Sequence, residues 1–273
     1  MSKPSKPAEG AAAEEALHIK LAVYLSGSGQ ARYSRFVLAV LSSIPWIGSV
    51  MAAAALKAEK KQNQVNLLMF RWVEQHEASY KRLEATVAGM IGRIEAMGPS
   101  AQERLQEEQY LGLVRRGFRV WDEASTQEKR QYVQRTLTNA AGPRICSDDV
   151  LRMFLQWIEQ YDELHFRVMR IVYKSPGATR AHMWKALHGE VARESSADAD
   201  LFKLIIRDLS TGSVIRQHRE TNSEGQFLAK TPRPKRRTQV LSSAFDDDKP
   251  YELTELGSQF VHYVLSDVTP RLE

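Results

Sequence analysis

Five basic side chains crowd into eight positions of this chain, Lys230-Thr-Pro-Arg233-Pro-Lys235-Arg236-Arg237. Such a run suits phosphate, because basic groups that replace the counterions condensed on a nucleic acid release them to solvent. Its two prolines keep the backbone extended. Asp246-Asp247-Asp248 follows and offers an internal counter-charge, so a solvated loop is the alternative reading. Lys203 and Arg207 lie four apart in an apolar-periodic stretch and share a helix face with Asp200. The chemistry supported is the binding of an anionic polymer. Its candidate contacts are Lys203, Arg207, Lys230, Arg233, Lys235, Arg236 and Arg237.

Bond-breaking chemistry finds less support. The histidines are His18, His76, His165, His182, His188, His218 and His262. None pairs with another at i, i+4, and no His-Glu-x-x-His occurs. Glu159, Asp162, Glu163 and His165 gather near one helical turn, as a hydrolase would require, but a charged face beside an apolar stripe is the ordinary state of a helix. There is no Gly-x-Ser-x-Gly, and Cys146 has no base arranged near it. The sequence therefore predicts no catalytic residue, no metal site, no cofactor and no enzymatic activity.

Composition frames these readings. The 273 residues carry 38 basic and 33 acidic side chains, a net charge of +5. That permits nucleic acid or an anionic membrane surface as partner without demanding either. With 43% hydrophobic residues the chain is of ordinary globular composition. Its length suggests about two domains. A single cysteine excludes an internal disulfide and a cysteine-based zinc site, and fits a reducing, cytoplasmic compartment.

The elements that must position the basic residues follow from periodicity and breakers. Residues 1–14 lack large apolar side chains and are expected as a disordered tail, not a signal peptide. Phe36 to Leu56 is 21 residues without a charge. As one helix it would measure roughly 31 Å, enough for a bilayer core. Its candidate membrane or core residues are Phe36, Leu41, Ile44, Pro45, Trp46, Ile47 and Gly48, and Pro45 at its middle predicts a kink or a break into two arms. Membrane insertion and burial in a helical bundle are both open. Burial is preferred, because other apolar helix faces are available to cover the segment and Trp46 lies at its centre instead of at an interface. Residues 57–97 read as one long helix, with Leu83, Val87, Met90, Ile94 and Met97 as a coiled-coil-like seam for self-association or for a helix of the same chain. Capping signals at Ser100–Glu103, Ser125–Glu128 and Ser147–Asp149 open further helices, the last running to Lys174.

After Ser175-Pro-Gly the character changes. Short helices are predicted at 179–187 and 197–209, strands at 213–220 and from Tyr251, and a last helix at 258–265. The passage Leu209-Ser-Thr-Gly212-Ser-Val214-Ile215 resembles the exit from a third helix into a wing strand. Tyr251-x-Leu253-Thr254-x-x-Gly257 resembles the closing wing strand of bacterial winged-helix regulators. The resemblance implies a winged helix over 161–268, with a long basic wing at 220–250 and a third helix set to meet nucleic acid. The charge-free segment broken by Ile44-Pro45-x-x-Gly48, followed by a long charged helix, is similar to bacterial phage-defence proteins of the abortive-infection alpha type. That likeness implies an effector acting by contact at the inner membrane. The expected architecture is mainly α, with a helical region at 15–160 and the winged helix behind it. Nucleic acid, a protein partner or second copy, and a membrane remain as candidate partners.

Overall fold

The computed structural model describes residues 33–47, 63–142, 146–189, 193–218, 224, 243–245 and 249–265. The 1–14 tail, residues 48–56 of the charge-free segment, most of the 220–250 loop and the whole basic run 230–237 lie outside the described residues. The protein is mainly helical and divides into two compact units, Met1–Glu159 and Gln160–Glu273.

In the first unit α1 spans Ser34–Ser43. Pro45 ends it. The proline ring pushes the preceding residue out of the helical region, and Ile44 is extended with ψ 110°. At ten residues α1 is half of what a bilayer core needs. Among the described residues no helix is long and apolar enough to cross a membrane. Phe36, Val37, Val40, Leu41, Ile44 and Ile47 are buried, and α1 packs on α4 (Glu108–Glu123), whose inner face is Tyr110, Leu113, Val114, Phe118 and Trp121. Burying each such side chain is worth about 1.5–3 kcal/mol. Trp46 is half-buried, and its indole Nε1 donates to Asp122 Oδ1 at 2.7 Å.

Helix α2 (Asn63–Ala96) carries the predicted seam. Leu83, Val87, Met90 and Ile94 are fully buried, and the helix packs on α5 (Gln127–Ala141), so the seam is covered within its own unit. Met97 lies beyond the helix end and is exposed. The box expected at Ser100–Glu103 does not form. Gly98, at φ 98°, precedes Pro99, which takes the first helical position of the short α3 (Pro99–Arg104). Arg104 is buried. It donates through Nε to Ala140 O (2.6 Å), through Nη1 to Glu107 (3.0 Å) and through Nη2 to Asp148 (2.5 Å). It thereby ties α3 to the end of α5 and the start of α6 (Asp148–Gln160).

The single helix expected over 148–174 is two. Asp162 is extended (φ −84°, ψ 168°), and its backbone N–H donates to His165 Nδ1 at 3.2 Å, which opens α7 (Glu163–Lys174). Beyond the break Phe166, Val168, Met169 and Val172 are buried, while Leu164 and Ile171 are half-buried.

The second unit continues with α8 (Arg180–His188), α9 (Ala197–Thr211), β1 (Ile215–Gln217), β2 (Tyr251–Leu253) and α10 (Glu255–Phe260), which runs on as a π turn at Val261–Leu265. Thr179 and Ser196 cap α8 and α9 by accepting from His182 N and Ala199 N. The strands pair antiparallel in the register Ile215↔Leu253, Arg216↔Glu252, Gln217↔Tyr251. Ala178, just before α8, adds an antiparallel bridge to Tyr251. The final helix starts three residues earlier than expected because Thr254 Oγ1 accepts from Gly257 N at 3.0 Å. Gly257 is required there. A Cβ would overlap the Val214 carbonyl oxygen, the same oxygen that accepts from Thr254 N at 3.0 Å.

Candidate functional site

Three arginines from three elements converge in the second unit. Arg180 opens α8, Arg207 stands in the last turns of α9 and Arg216 is the central residue of β1. Together with Ile206, Ser210, Thr211, Ile215, Gln217 and Tyr251 they line a cleft of about 570 Å³. Of its lining residues Ile206, Ile215 and Tyr251 are almost fully buried. Each guanidinium is oriented through its Nε. Arg180 Nε donates to Tyr251 Oη at 3.1 Å and the head sits 5.8 Å from the Tyr251 ring centroid. Arg216 Nε meets Glu252 Oε1 at 2.7 Å, and Arg207 Nε lies 3.6 Å from Asp208 Oδ1. Arg207 is the most open of the three, with 72% of its side chain exposed, against 47% for Arg216 and a half-buried Arg180.

Glu252 holds Arg216 and His218 from the opposite strand. Burial raises its carboxyl, but hydrogen bonds from His218 and Arg216, with their charges, outweigh burial and hold it below the usual carboxylate value. The His218 Nδ1 contact is 2.6 Å. Glu252 does not line the cleft. It pairs with Arg216 directly across the strands, and among the described residues the groups lining the cleft are basic or neutral.

Of the two described residues predicted as contacts, Arg207 lines the cleft and Lys203 does not. Lys203 is drawn instead to Glu194 (3.8 Å) and Asp200 (3.7 Å). Glu194 is a fastening point. Its carboxylate accepts from Ser243 Oγ and from Ala244 N (2.9 Å), and the serine bond first, then the backbone one, lowers its carboxyl below the ordinary value. Ala244 is fully buried, and Phe245 lies against Trp184 (4.8 Å between centroids) and Phe202 (6.4 Å). The stretch returning toward β2 is thus pinned to α8 and α9 before it reaches Lys249. Lys230, Arg233, Lys235, Arg236 and Arg237 lie outside the described residues. So does Gly48. Phe36, Leu41, Ile44 and Ile47 are core residues of the first unit, Pro45 is exposed, and Trp46 is half-buried.

The first half of α9 has a different surface. Asp198 and Asp200 occupy its first turn, where they complement the helix dipole, and Leu201 (47%) and Leu204 (39%) are exposed beside them. The acids at this end oppose phosphate. Arg180 and Arg216 were not legible as site residues, being isolated basic residues 36 positions apart. The one available signal was Arg216 following buried Val214 and Ile215 at the strand entry. Of the group Glu159, Asp162, Glu163 and His165, Asp162 and His165 serve the start of α7. Among the described residues no group of His, Cys, Asp and Glu is placed to hold a metal ion.

The chain was compared with protein-family models, curated proteins and solved structures, and none of them matches it.

Proposed function

We propose that the protein is a non-enzymatic binding protein whose second unit is a winged-helix module that contacts the phosphate backbone of nucleic acid. The order helix, helix, helix, strand, strand, helix supports the module, as does the antiparallel pair closed by the bridge at Ala178. In this reading α9 is the third helix and β1–β2 the base of the wing. The convergence of Arg180, Arg207 and Arg216 on one cleft carries the nucleic-acid reading. Arginine forks match phosphate oxygens in pairs and remain charged at every relevant pH.

The polarity of α9 refines the proposal. In modules that read sequence, the start of the recognition helix meets base edges. Here that start carries Asp198 and Asp200, so contact runs through the last turn and the strands. Contacts of that kind position a protein and carry little sequence information. Binding is therefore expected to be nearly sequence-independent and steeply salt-dependent.

The test is fluorescence anisotropy of labelled oligonucleotides of different sequence across a salt series. Each phosphate contact contributes about 0.7 to the log–log slope on single strands and about 0.9 on duplex. Arg207→Ala should reduce the slope by roughly one such contact for every sequence. Salt-independent binding, or no binding at all, would refute the reading. The exposed Leu201 and Leu204 favour a second one, in which α9 meets a protein partner. That reading predicts that Leu204→Asp abolishes partner binding and that Arg207→Ala does not.

A further inference from the structure

We propose that the outer face of α9 is a self-association surface, on which a second copy of the chain packs its own α9 in the antiparallel sense. The inference rests on the second reading above, in which α9 meets a protein, and names that protein.

The face carries an apolar stripe. Ala197, Leu201 and Leu204 follow one another at i, i+4 and i+7, the spacing of one helix line, and all three are exposed. The opposite line, Ala199, Phe202, Ile205, Ile206 and Leu209, is buried in the unit's own core. The helix is therefore apolar on two sides, one covered and one open. Among the described residues of the second unit, Tyr173 is the other large apolar side chain so exposed. A lone surface leucine is ordinary, but two on adjoining turns form a continuous patch.

Charge selects the occupant. Asp200 comes one turn before Leu204 and Arg207 one turn after it, and the two lie on the same flank of the stripe. An order of acid, leucine and base is complementary to itself when reversed. A two-fold axis crossing the face between Lys203 and Leu204 sets Asp200 opposite Arg207 of the second copy, and Arg207 opposite its Asp200. Leu201 and Leu204 then meet the same two leucines in between. This is an isologous contact, the kind that closes most homodimers. The antiparallel sense also sets opposite ends of the two helix dipoles against each other. Asp200 lies 3.7 Å from Lys203 and Arg207 lies 3.6 Å from Asp208, both contacts along the same helix and both longer than a hydrogen bond. The side chains of Asp200 and Arg207 are 75% and 72% exposed, so a second copy can reach them. Ala197 and Thr211, at the two ends of the face, are small and let the helices approach. One helix face is less than a standard interface, so the dimer is weak, with a dissociation constant on the order of 10 μM or above.

The experiment is sedimentation equilibrium of the full chain, without nucleic acid, from about 2 to about 300 μM. The parent chain should show a reversible monomer–dimer equilibrium. Leu204→Asp should leave only monomer, because carboxylates would meet in the apolar centre of the contact. Leu204 is exposed in the monomer, and an unaltered melting curve verifies that the fold is intact. Asp200→Lys and Arg207→Glu, each alone, should weaken the dimer about fivefold, since like charges then face each other. Mixing these two variants should restore association to about the parent strength, because every facing pair in the mixed dimer again has opposite sign. Arg207→Ala removes attraction without adding repulsion and should leave the dimer in place. A parent chain that is monomeric at every concentration overturns the second copy as occupant and leaves the second reading, with another partner, standing. A dimer that persists in Leu204→Asp overturns this surface, since self-association then lies elsewhere. Loss of the dimer in Leu204→Asp with no recovery in the mixture overturns the antiparallel arrangement.

Discussion

Gly257→Ala should destabilise the second unit although the residue sits in a helix. In an open helix interior, replacing glycine with alanine stabilises by about 0.5–1 kcal/mol. Here the added methyl overlaps the Val214 carbonyl oxygen and lies 3.1 Å from its carbon and 3.4 Å from Leu253 Cδ2. The obstacle is backbone and cannot rotate away. Relief requires α10 to move off the entry of β1. That loosens the Thr254 N to Val214 O bond (3.0 Å), the Thr254 Oγ1 to Ser213 O bond (2.7 Å) and the cap on Gly257 N. Overpacking costs about 1–3 kcal/mol and a lost threonine cap about 1 kcal/mol. Set against the propensity gain, the net is about 2 kcal/mol of destabilisation. With a urea dependence of about 1.5–2 kcal/mol per molar, the midpoint should fall by roughly 1 M. Trp184, buried in this unit, reports the transition by fluorescence. Gly92→Ala supplies the control. Nothing lies within 4 Å of a Cβ at that exposed position in α2, so the first unit should become more stable by about 0.5–1 kcal/mol. If Gly257→Ala is as stable as the parent chain, the packing of α10 against the strand entry is wrong.

Arg104→Ala should lower the stability of the first unit by about 3–5 kcal/mol, because it leaves the Ala140 carbonyl and Asp148 without their buried donor; thermal denaturation measures it. Phe245→Ala should release the Ser243–Phe245 fastening from Trp184 and Phe202, seen as faster proteolysis near residue 243 with the helical circular dichroism unchanged; unchanged proteolysis would refute the fastening. Glu252 is held below its ordinary carboxylate value, so its contribution is present above the unfolded-state pKa and is lost as pH falls through the folded one. The second unit should therefore weaken as acid is added below about pH 4.5, more steeply in the parent chain than in Glu252→Gln, and parallel pH curves would contradict this.

The helix-rich class and the strand pair were legible because local signals carried them. Thr179 and Ser147 precede apolar-periodic runs, and both cap the helices that follow. Gly212 and the β-branched Val214-Ile215 mark the passage from α9 into β1. Errors arose where a second signal overrode the first. Ser100 has the form of a cap, but Pro99 after a left-handed Gly98 starts the helix two residues sooner. The capping signal at Ser125 fell one residue early, since Thr126 accepts from Lys129 N. The break at Asp162 was hidden because apolar residues keep nearly helical spacing across it, and only the bond to His165 separates α6 from α7. The cleft was illegible for a different reason. Arg180, Arg207 and Arg216 each look like solitary surface charges, and only the fold brings them together. The pairing of Lys203 with Glu194 was also illegible, because Glu194 sits in a connection that periodicity does not place.

Amide hydrogen exchange of the full chain, with and without a saturating single-stranded oligonucleotide, tests the central claim most directly. The account predicts new protection confined to the last turns of α9 and the start of β1, residues 206–217, and to the opening of α8 around Arg180. The acidic first turn of α9 and helices α1 to α6 should exchange as before. Protection at Asp198–Leu204 without change at 206–217, or no protection anywhere, would contradict it.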